Sequence, residues 1–232
     1  MLREYMLRIK LFLRVVGCTP APPAHPWKLN FCDPKSSITE QNTNVKYNGF
    51  MRVFIGVPLL HQYGQSFLRL SFCEGFKRNL RLSHIEPHLT LKAPQDIDED
   101  QLPAWKHSVE KALHAFKPVH TKIDSSFFIT PVTLALRGES KPLCPIHVAL
   151  VDNLSEFDSA GVIYHEGKDF IAHVTVGRAT RRLEQSDRKM LTAECDQIIK
   201  PQEITVNKVR LYIRRDIEQG YEALEDIKLN GS

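Results

Sequence analysis

Two short stretches share one pattern, and together they constrain the fold more than any other feature of the sequence. They are "PHLTLK" at 87–92 and "AHVTVG" at 172–177. Each alternates with the period of a β-strand, which places a histidine and a threonine on one face and leucine or valine on the other. One such string has a high false-positive risk. Two copies, with their histidines 85 positions apart, indicate an internal duplication.

The elements predicted around the two motifs repeat in the same order. The first half is predicted as a strand, a helix, the motif strand, a helix and a strand pair, at 52–57, 59–80, 87–92, 98–116, 120–129 and 131–137. The second half has the same pattern, at 145–151, 152–160, 172–177, 181–199, 203–215 and 221–229. The sequence therefore predicts an α+β domain of two pseudo-symmetric lobes. Each lobe is an antiparallel sheet with helices, and the motif strands face each other across a central cleft.

Residues 1–50 differ from the rest of the chain. They contain the proline-rich "CTPAPPAHP" and a polar run without periodicity, which predicts a poorly structured extension before a domain at 51–232. The first sixteen residues are basic and apolar, which also fits an organelle presequence. Met51 opens a well-patterned strand, so a translation start assigned too far upstream is an equal alternative.

The net charge of +4 lies entirely in that extension. Residues 1–50 carry seven Lys/Arg and three Asp/Glu, which leaves 24 of each in 51–232. A neutral body attracts a long polyanion weakly. If the protein acts on RNA, we therefore expect it to bind a short RNA end locally.

The remaining composition is that of an ordinary soluble protein. Five scattered cysteines without a CxxC pair favour neither a disulfide framework nor a zinc ribbon, and they fit a reducing cytoplasm. No apolar run is long enough for a membrane span. We expect a cytoplasmic monomer without a membrane partner.

The polar face of the motif strands predicts proton transfer to and from a phosphate. If the strands lie together, four side chains converge: His88, Thr90, His173 and Thr175. One imidazole can act as a base while the other acts as an acid, and threonine hydroxyls can donate to phosphoryl oxygens. The set lacks a strong nucleophile beside a base, which favours attack by water on a phosphodiester.

Two other interpretations of the histidines compete with this one. "HIEPH" at 84–88 resembles a zinc motif, but Pro87 disfavours the helix that such a motif needs. We therefore predict neither a metal nor another cofactor. A binding module that keeps the fold without turnover is the second alternative, and the intact motifs argue against it.

The paired HxTx strings resemble the signature of the 2H phosphoesterase superfamily, which includes the LigT-like 2'-5' RNA ligases and RNA 2',3'-cyclic phosphodiesterases. "MRVFIGVPL" and "VRLYI…GYEAL" are similar to that family's opening and closing strands, so the resemblance covers roughly 51–232. It implies metal-independent opening of a 2',3'-cyclic phosphate, on an RNA 3' end or a small nucleotide, to a 2'-phosphate, with reverse 2'-5' ligation as a further activity. It also implies that His88 is the proton donor and His173 the proton acceptor.

The sequence departs from many RNA-processing members after the first motif, where Lys92-Ala93-Pro94 stands in place of a phenylalanine and a glycine. Another small cyclic phosphate or a 2'-5'-linked oligonucleotide is therefore an alternative substrate. Lys92 continues the parity of His88 and is a candidate phosphate ligand, with a solvated strand-end lysine as its alternative. Arg178 is a second candidate, although its parity is opposite to that of His173 unless Gly177 bends the strand.

Two aromatic residues are possible contacts for a terminal base. Phe54 and Tyr212 could stack on it, but core packing is the favoured prediction for both.

Overall fold

The computed structural model describes residues 50–158, 166–216 and 220–231. The extension predicted for 1–50, and with it both interpretations of the first residues, lies outside the described residues except for Phe50, which begins the first strand.

The described residues form nine strands and five α-helices. The strands are β1 Phe50–Pro58, β2 Leu80–Leu82, β3 His88–Asp98, β4 Val119–Thr130, β5 Thr133–Gly138, β6 His173–Ala179, β7 Gln202–Val206, β8 Lys208–Arg214 and β9 Glu222–Lys228. The helices are α1 Leu60–Leu70, α2 Glu74–Asn79, α3 Leu102–Leu113, α4 Cys144–Leu154 and α5 Gln185–Ile198.

The described strands join into one antiparallel sheet, in the order β7-β4-β5-β6-β3-β1-β8-β9, with β2 also paired to β6. The two motif strands, β3 and β6, are neighbours at its centre and pair through Leu89 and Val174. The lobe on one side of this junction contains β3, β1, β8 and β9, and the lobe on the other contains β6, β5, β4 and β7 with β2 as a fifth strand, so the predicted α+β class with two antiparallel lobes is confirmed. The motif strands lie side by side, however, and not opposite each other.

The strand pair at the end of each half of the sequence extends the lobe that contains the motif strand of the other half. Strands β4 and β5 come after the first motif in sequence but extend the sheet from β6. Strands β8 and β9 come after the second motif but extend it from β1. A hairpin satisfies its own inner hydrogen bonds, so its sequence does not specify which sheet edge it will join.

The strand predicted at 145–151 is wrong, because this segment lies in α4. A short apolar run fits a buried helix as well as a buried strand. Here Pro145 occupies the first turn, where its missing N–H is tolerated, and Ile146, Leu150 and Leu154 are buried at helical spacing. The helix predicted at 152–160 is also wrong over most of its described part, since α4 ends at Leu154 and a 3-10 turn comes next.

Two other elements are divided. The helix predicted at 59–80 is interrupted after α1, where the Ser71 hydroxyl donates to the carbonyl of Leu68 (2.6 Å), and 80–82 form β2. The strand predicted at 203–215 breaks at Asn207 into β7, which is one edge of the sheet, and β8, which lies next to the other edge.

The helices cover the apolar face of the motif strands. Helix α4 packs against β3 and against α3, which buries Trp105. Helices α1 and α2 pack against α5, which lies on β4. Leu89 and Val174 are fully buried in this core, so the alternate residues of β3 and β6 are left on the other face. No helix among the described residues is both long and apolar enough to cross a membrane.

Candidate active site

The pairing of β3 with β6 brings the two motifs together. His88 and Thr90 flank Leu89, and His173 and Thr175 flank Val174 in the paired strand. Because directly paired residues share a face, the flanking residues of both strands lie together on the opposite one. Thr90 and His173 line one small cavity of about 30 Å³, and His173 interacts electrostatically with His88. The structure thus places the four predicted side chains in one region.

Both histidines are oriented by the same local contact. The Nδ1–H of His88 donates to the carbonyl of Glu86 at 2.7 Å, and the Nδ1–H of His173 donates to the carbonyl of Ile171 at 2.8 Å. A carbonyl can only accept, so this contact fixes the tautomer and leaves Nε2 as the nitrogen available for proton exchange. Each acceptor lies two residues before its histidine, and this repeat was not recognised in the sequence.

Burial distinguishes the two rings. His88 is only 7% exposed, and its ring lies against those of Phe54 (4.9 Å between centroids) and Tyr212 (5.3 Å), whereas His173 is partly exposed. Burial lowers the pKa of His88 below its usual value, and its electrostatic interaction with His173 lowers it further, while Glu86 opposes both. In the unliganded protein His88 is therefore harder to protonate than a free imidazole.

This lowered pKa gives a stability prediction with a definite sign. The unfolded imidazole takes up a proton near pH ~6.5, whereas folded His88 resists it. The free energy of unfolding should therefore be greatest above that pH and should fall as the pH decreases through the folded pKa. Urea unfolding at several pH values should show a shallower acid decline for His88→Asn than for wild type. If the free energy of unfolding declines equally in wild type and His88→Asn, the pKa of folded His88 is not lowered by burial.

Glu86 connects His88 to the closing strands. Its carboxylate accepts from Arg210 Nη1 at 2.5 Å and from the Tyr212 hydroxyl at 2.9 Å. Tyr212 in turn stacks on Phe54 with centroids 4.4 Å apart. Burial, reinforced by the carboxylate, raises the pKa of Tyr212, so its phenol stays neutral. Phe54 and Tyr212 are 2% and 1% exposed, which fits the favoured prediction of core packing.

A bulge in β3 sends Lys92 into the core. Gly56 of β1 pairs with Thr90, but the preceding residue, Ile55, pairs with Lys92, so β3 contains one extra residue between them. The extra residue reverses the alternation, and Lys92 shares the face of the buried Ile55. The predicted phosphate contact is therefore wrong for Lys92, whose side chain is fully buried away from the face of Thr90.

Lys92 instead forms a buried ionic network. Its ammonium donates to Asp158 Oδ1 and to Glu166 Oε2, both at 2.9 Å. Glu166 Oε1 also accepts from the backbone N–H of Ala93 at 2.7 Å, and Asp158 Oδ1 accepts from Gln95 at 2.5 Å. Glu166 lines the small cavity that contains Thr90 and His173. The network therefore joins β3 to the segment that leads into the second motif.

His147 makes a second link between the same two segments. Its Nδ1–H donates to the carbonyl of Leu91 at 2.7 Å, and its Nε2 accepts from the N–H of Gly167 at 2.8 Å. These two bonds require the neutral ring, which also stacks on Phe170 with centroids 4.0 Å apart. His147 lies in the segment predicted as a strand, so its role could not be inferred from the sequence.

A bulge in β6 has the opposite effect on Arg178. Ala135 of β5 pairs with Thr175, and the preceding Leu134 pairs with Gly177, so β6 contains one extra residue at Val176. Arg178 then pairs with Thr133, which shares the face of Ala135. The bulge thus supplies the bend considered at Gly177, and Arg178 lies on the face of Thr175, where both line one cavity.

Arg137 is a basic residue of this region that was not predicted from the sequence. It pairs directly with His173 on β5, and its guanidinium lies over the ring of Phe127 at 4.1 Å. The face that carries His173 is therefore positively charged in addition to carrying hydroxyls. Among the described residues, no group of three His, Cys, Asp or Glu side chains could hold a metal ion.

Both the sequence and the fold of this chain are similar to those of known proteins. Residues 69–218 match the model of the 2'-5' RNA ligase superfamily, in agreement with the resemblance drawn from the motifs. No curated protein matches the sequence significantly. TT0787 of Thermus thermophilus is similar in structure, with a TM-score of 0.59 and 18% identity over 78% of this chain and 98% of that one. E. coli LigT complexed with 3'-AMP gives a TM-score of 0.54 and 15% identity over 78% and 99%. At these identities the two structures show a shared fold.

Proposed function

The chain belongs to the 2'-5' RNA ligase superfamily, and from that membership we propose that it is a phosphodiesterase that opens 2',3'-cyclic phosphates, on RNA ends or small nucleotides, to 2'-phosphates without a metal ion. The observation that carries the proposal is the pair of histidines, each held by its Nδ1–H so that Nε2 is the reactive nitrogen. A nucleotide ligand is consistent with the 3'-AMP complex of E. coli LigT, whose fold this chain shares.

The proposed reaction is a single displacement at phosphorus. His173 Nε2 takes a proton from water as the water oxygen bonds to phosphorus. The bond from phosphorus to O3' breaks, its electron pair goes to O3', and His88 Nε2–H donates the proton that O3' needs. Thr90 and Thr175 donate to the phosphoryl oxygens as their charge increases. The products are a 2'-phosphate and a 3'-hydroxyl, and exchange with solvent returns both rings to their starting states.

The assignment of acid and base follows the family resemblance and agrees with the burial of the two rings. His173 is the more exposed ring, which suits a base that must reach water. His88 is buried and its lowered pKa disfavours the protonated ring before substrate binds. A bound phosphodiester brings a negative charge next to the ring, which favours the imidazolium and so raises the pKa at the step that requires it.

The proposed function predicts turnover in excess EDTA. Adenosine 2',3'-cyclic phosphate should be converted to adenosine 2'-phosphate at the same rate with and without the chelator, because both catalytic groups belong to the chain. Chromatography that separates the 2'- and 3'-phosphates measures rate and product together. Loss of turnover in EDTA would indicate a metal enzyme. A 3'-phosphate product would mean that the opposite bond breaks, and no turnover of any cyclic phosphate would leave a binding module.

A further inference from the structure

Two arginines lie in register beside the proposed reaction centre. Arg81 of β2 pairs directly with Arg178 of β6, and both line a cavity of about 330 Å³ together with His84 and Thr175. Both side chains are exposed, and within the described part of the chain neither guanidinium forms an ion pair. Like charges placed directly opposite each other across two strands are destabilising, so this pair gains from a bound anion.

The backbone is arranged to bring the pair together. The bulge at Val176 moves Arg178 to the face of Thr175. Gly177 then lets β2 approach closely, since a Cβ at this position would lie 2.7 Å from the carbonyl oxygen of Arg81 and 3.2 Å from Cα of Leu82. Any side chain here would push β2 away from β6. A short strand and a close glycine contact thus hold Arg81 opposite Arg178.

We propose that this cavity binds a second phosphate of the substrate, the phosphodiester that links the terminal nucleotide to its neighbour. The guanidinium fork matches phosphate oxygens, and two forks in register can hold one phosphate from both sides. Thr175 belongs to the cavity and to the second motif, so the cavity adjoins the reacting phosphate. This inference rests on the proposed function and narrows its substrate class: the protein prefers oligonucleotide ends to mononucleotides.

The test compares two substrates that differ by one phosphodiester, adenosine 2',3'-cyclic phosphate and the dinucleotide ApA with a 2',3'-cyclic phosphate end. In Arg81→Gln, kcat/KM for the dinucleotide should fall at least about tenfold more than for the mononucleotide, because only the dinucleotide loses a charge-assisted contact. Arg69→Gln removes an exposed arginine of α1 that does not line the cavity and should affect both substrates alike. Equal losses on the two substrates in Arg81→Gln would overturn the inference.

A binding measurement separates this inference from the proposed function. With the inactive variant His173→Ala as background, calorimetry should show weaker dinucleotide binding when Arg81→Gln is added. The slope of log affinity against log salt should also shrink by about 0.7, the value for one phosphate contact on a single strand. If the wild type turns over neither substrate, the proposed function fails. The binding comparison with and without Arg81→Gln then tests by itself whether the cavity binds a phosphate. Equal affinities and equal slopes would overturn the cavity's role.

Discussion

His88→Ala and His173→Ala are each expected to lower kcat for a nucleoside 2',3'-cyclic phosphate by at least ~100-fold, the usual scale for a general acid or base. Each variant removes one of the two Nε2 atoms that, in the proposed reaction, exchange protons with water or with the leaving oxygen. The double variant should be little worse than either single one, because the two groups act in one displacement and their effects do not add. Steady-state rates on adenosine 2',3'-cyclic phosphate measure all three variants.

Two controls distinguish a catalytic effect of these substitutions from an effect on folding. His107 is an exposed histidine of α3, and His107→Ala should retain wild-type turnover. His88 is buried, so its replacement could act through the fold, and far-UV circular dichroism with the urea midpoint of each variant measures that contribution. A folded His88 or His173 variant with near-normal kcat would contradict the two-histidine reaction.

Lys92→Met is expected to destabilise the protein by ~3 kcal/mol. The substitution leaves Asp158 and Glu166 without their ammonium partner, and removing one member of a buried pair costs about 3–5 kcal/mol. The lower end applies because the Asp158 side chain is 27% exposed and retains contact with water. Urea unfolding at neutral pH measures the change.

A matched lysine provides the control. Lys106 pairs with Glu225 at 2.5 Å, but both side chains are partly exposed, at 33% and 39%. Lys106→Met should therefore cost less than about 1 kcal/mol. If Lys92→Met is no more destabilising than Lys106→Met, the buried network does not hold this part of the fold.

The Lys92 variant has a second readout at the active site. Glu166 begins the segment that ends at Ile171, whose carbonyl orients His173. When Glu166 is released, this segment should hold the ring less well, and kcat should fall by roughly tenfold, which is within the range for a misplaced catalytic group. KM for a mononucleotide should change less, since Lys92 is buried away from the face that carries Thr90.

The sequence predicted the four motif side chains and the class of the fold without tertiary information. Their alternation with Leu89 and Val174 is a local property of an extended strand, so one apolar face implies one polar face. Duplication of the pattern then implied that two such faces belong to one site. In the structure the two polar faces are adjacent because Leu89 and Val174 pair at the centre of the sheet.

Only the tertiary structure decided where the charged residue after each motif lies. Both residues were candidate phosphate ligands, but Lys92 is buried in the core, whereas Arg178, which strict alternation would place on the opposite face, lies beside Thr175. Both outcomes come from a single extra residue in β3 or β6, and a bulge exists only relative to the strand with which it pairs. Alternation within one strand cannot reveal it. The partners of Lys92 are likewise 66 and 74 positions away, too far along the chain for a local pattern to relate them to it. Local periodicity therefore determined which residues are candidates for the chemistry, and the pairing of distant strands determined which charges surround them.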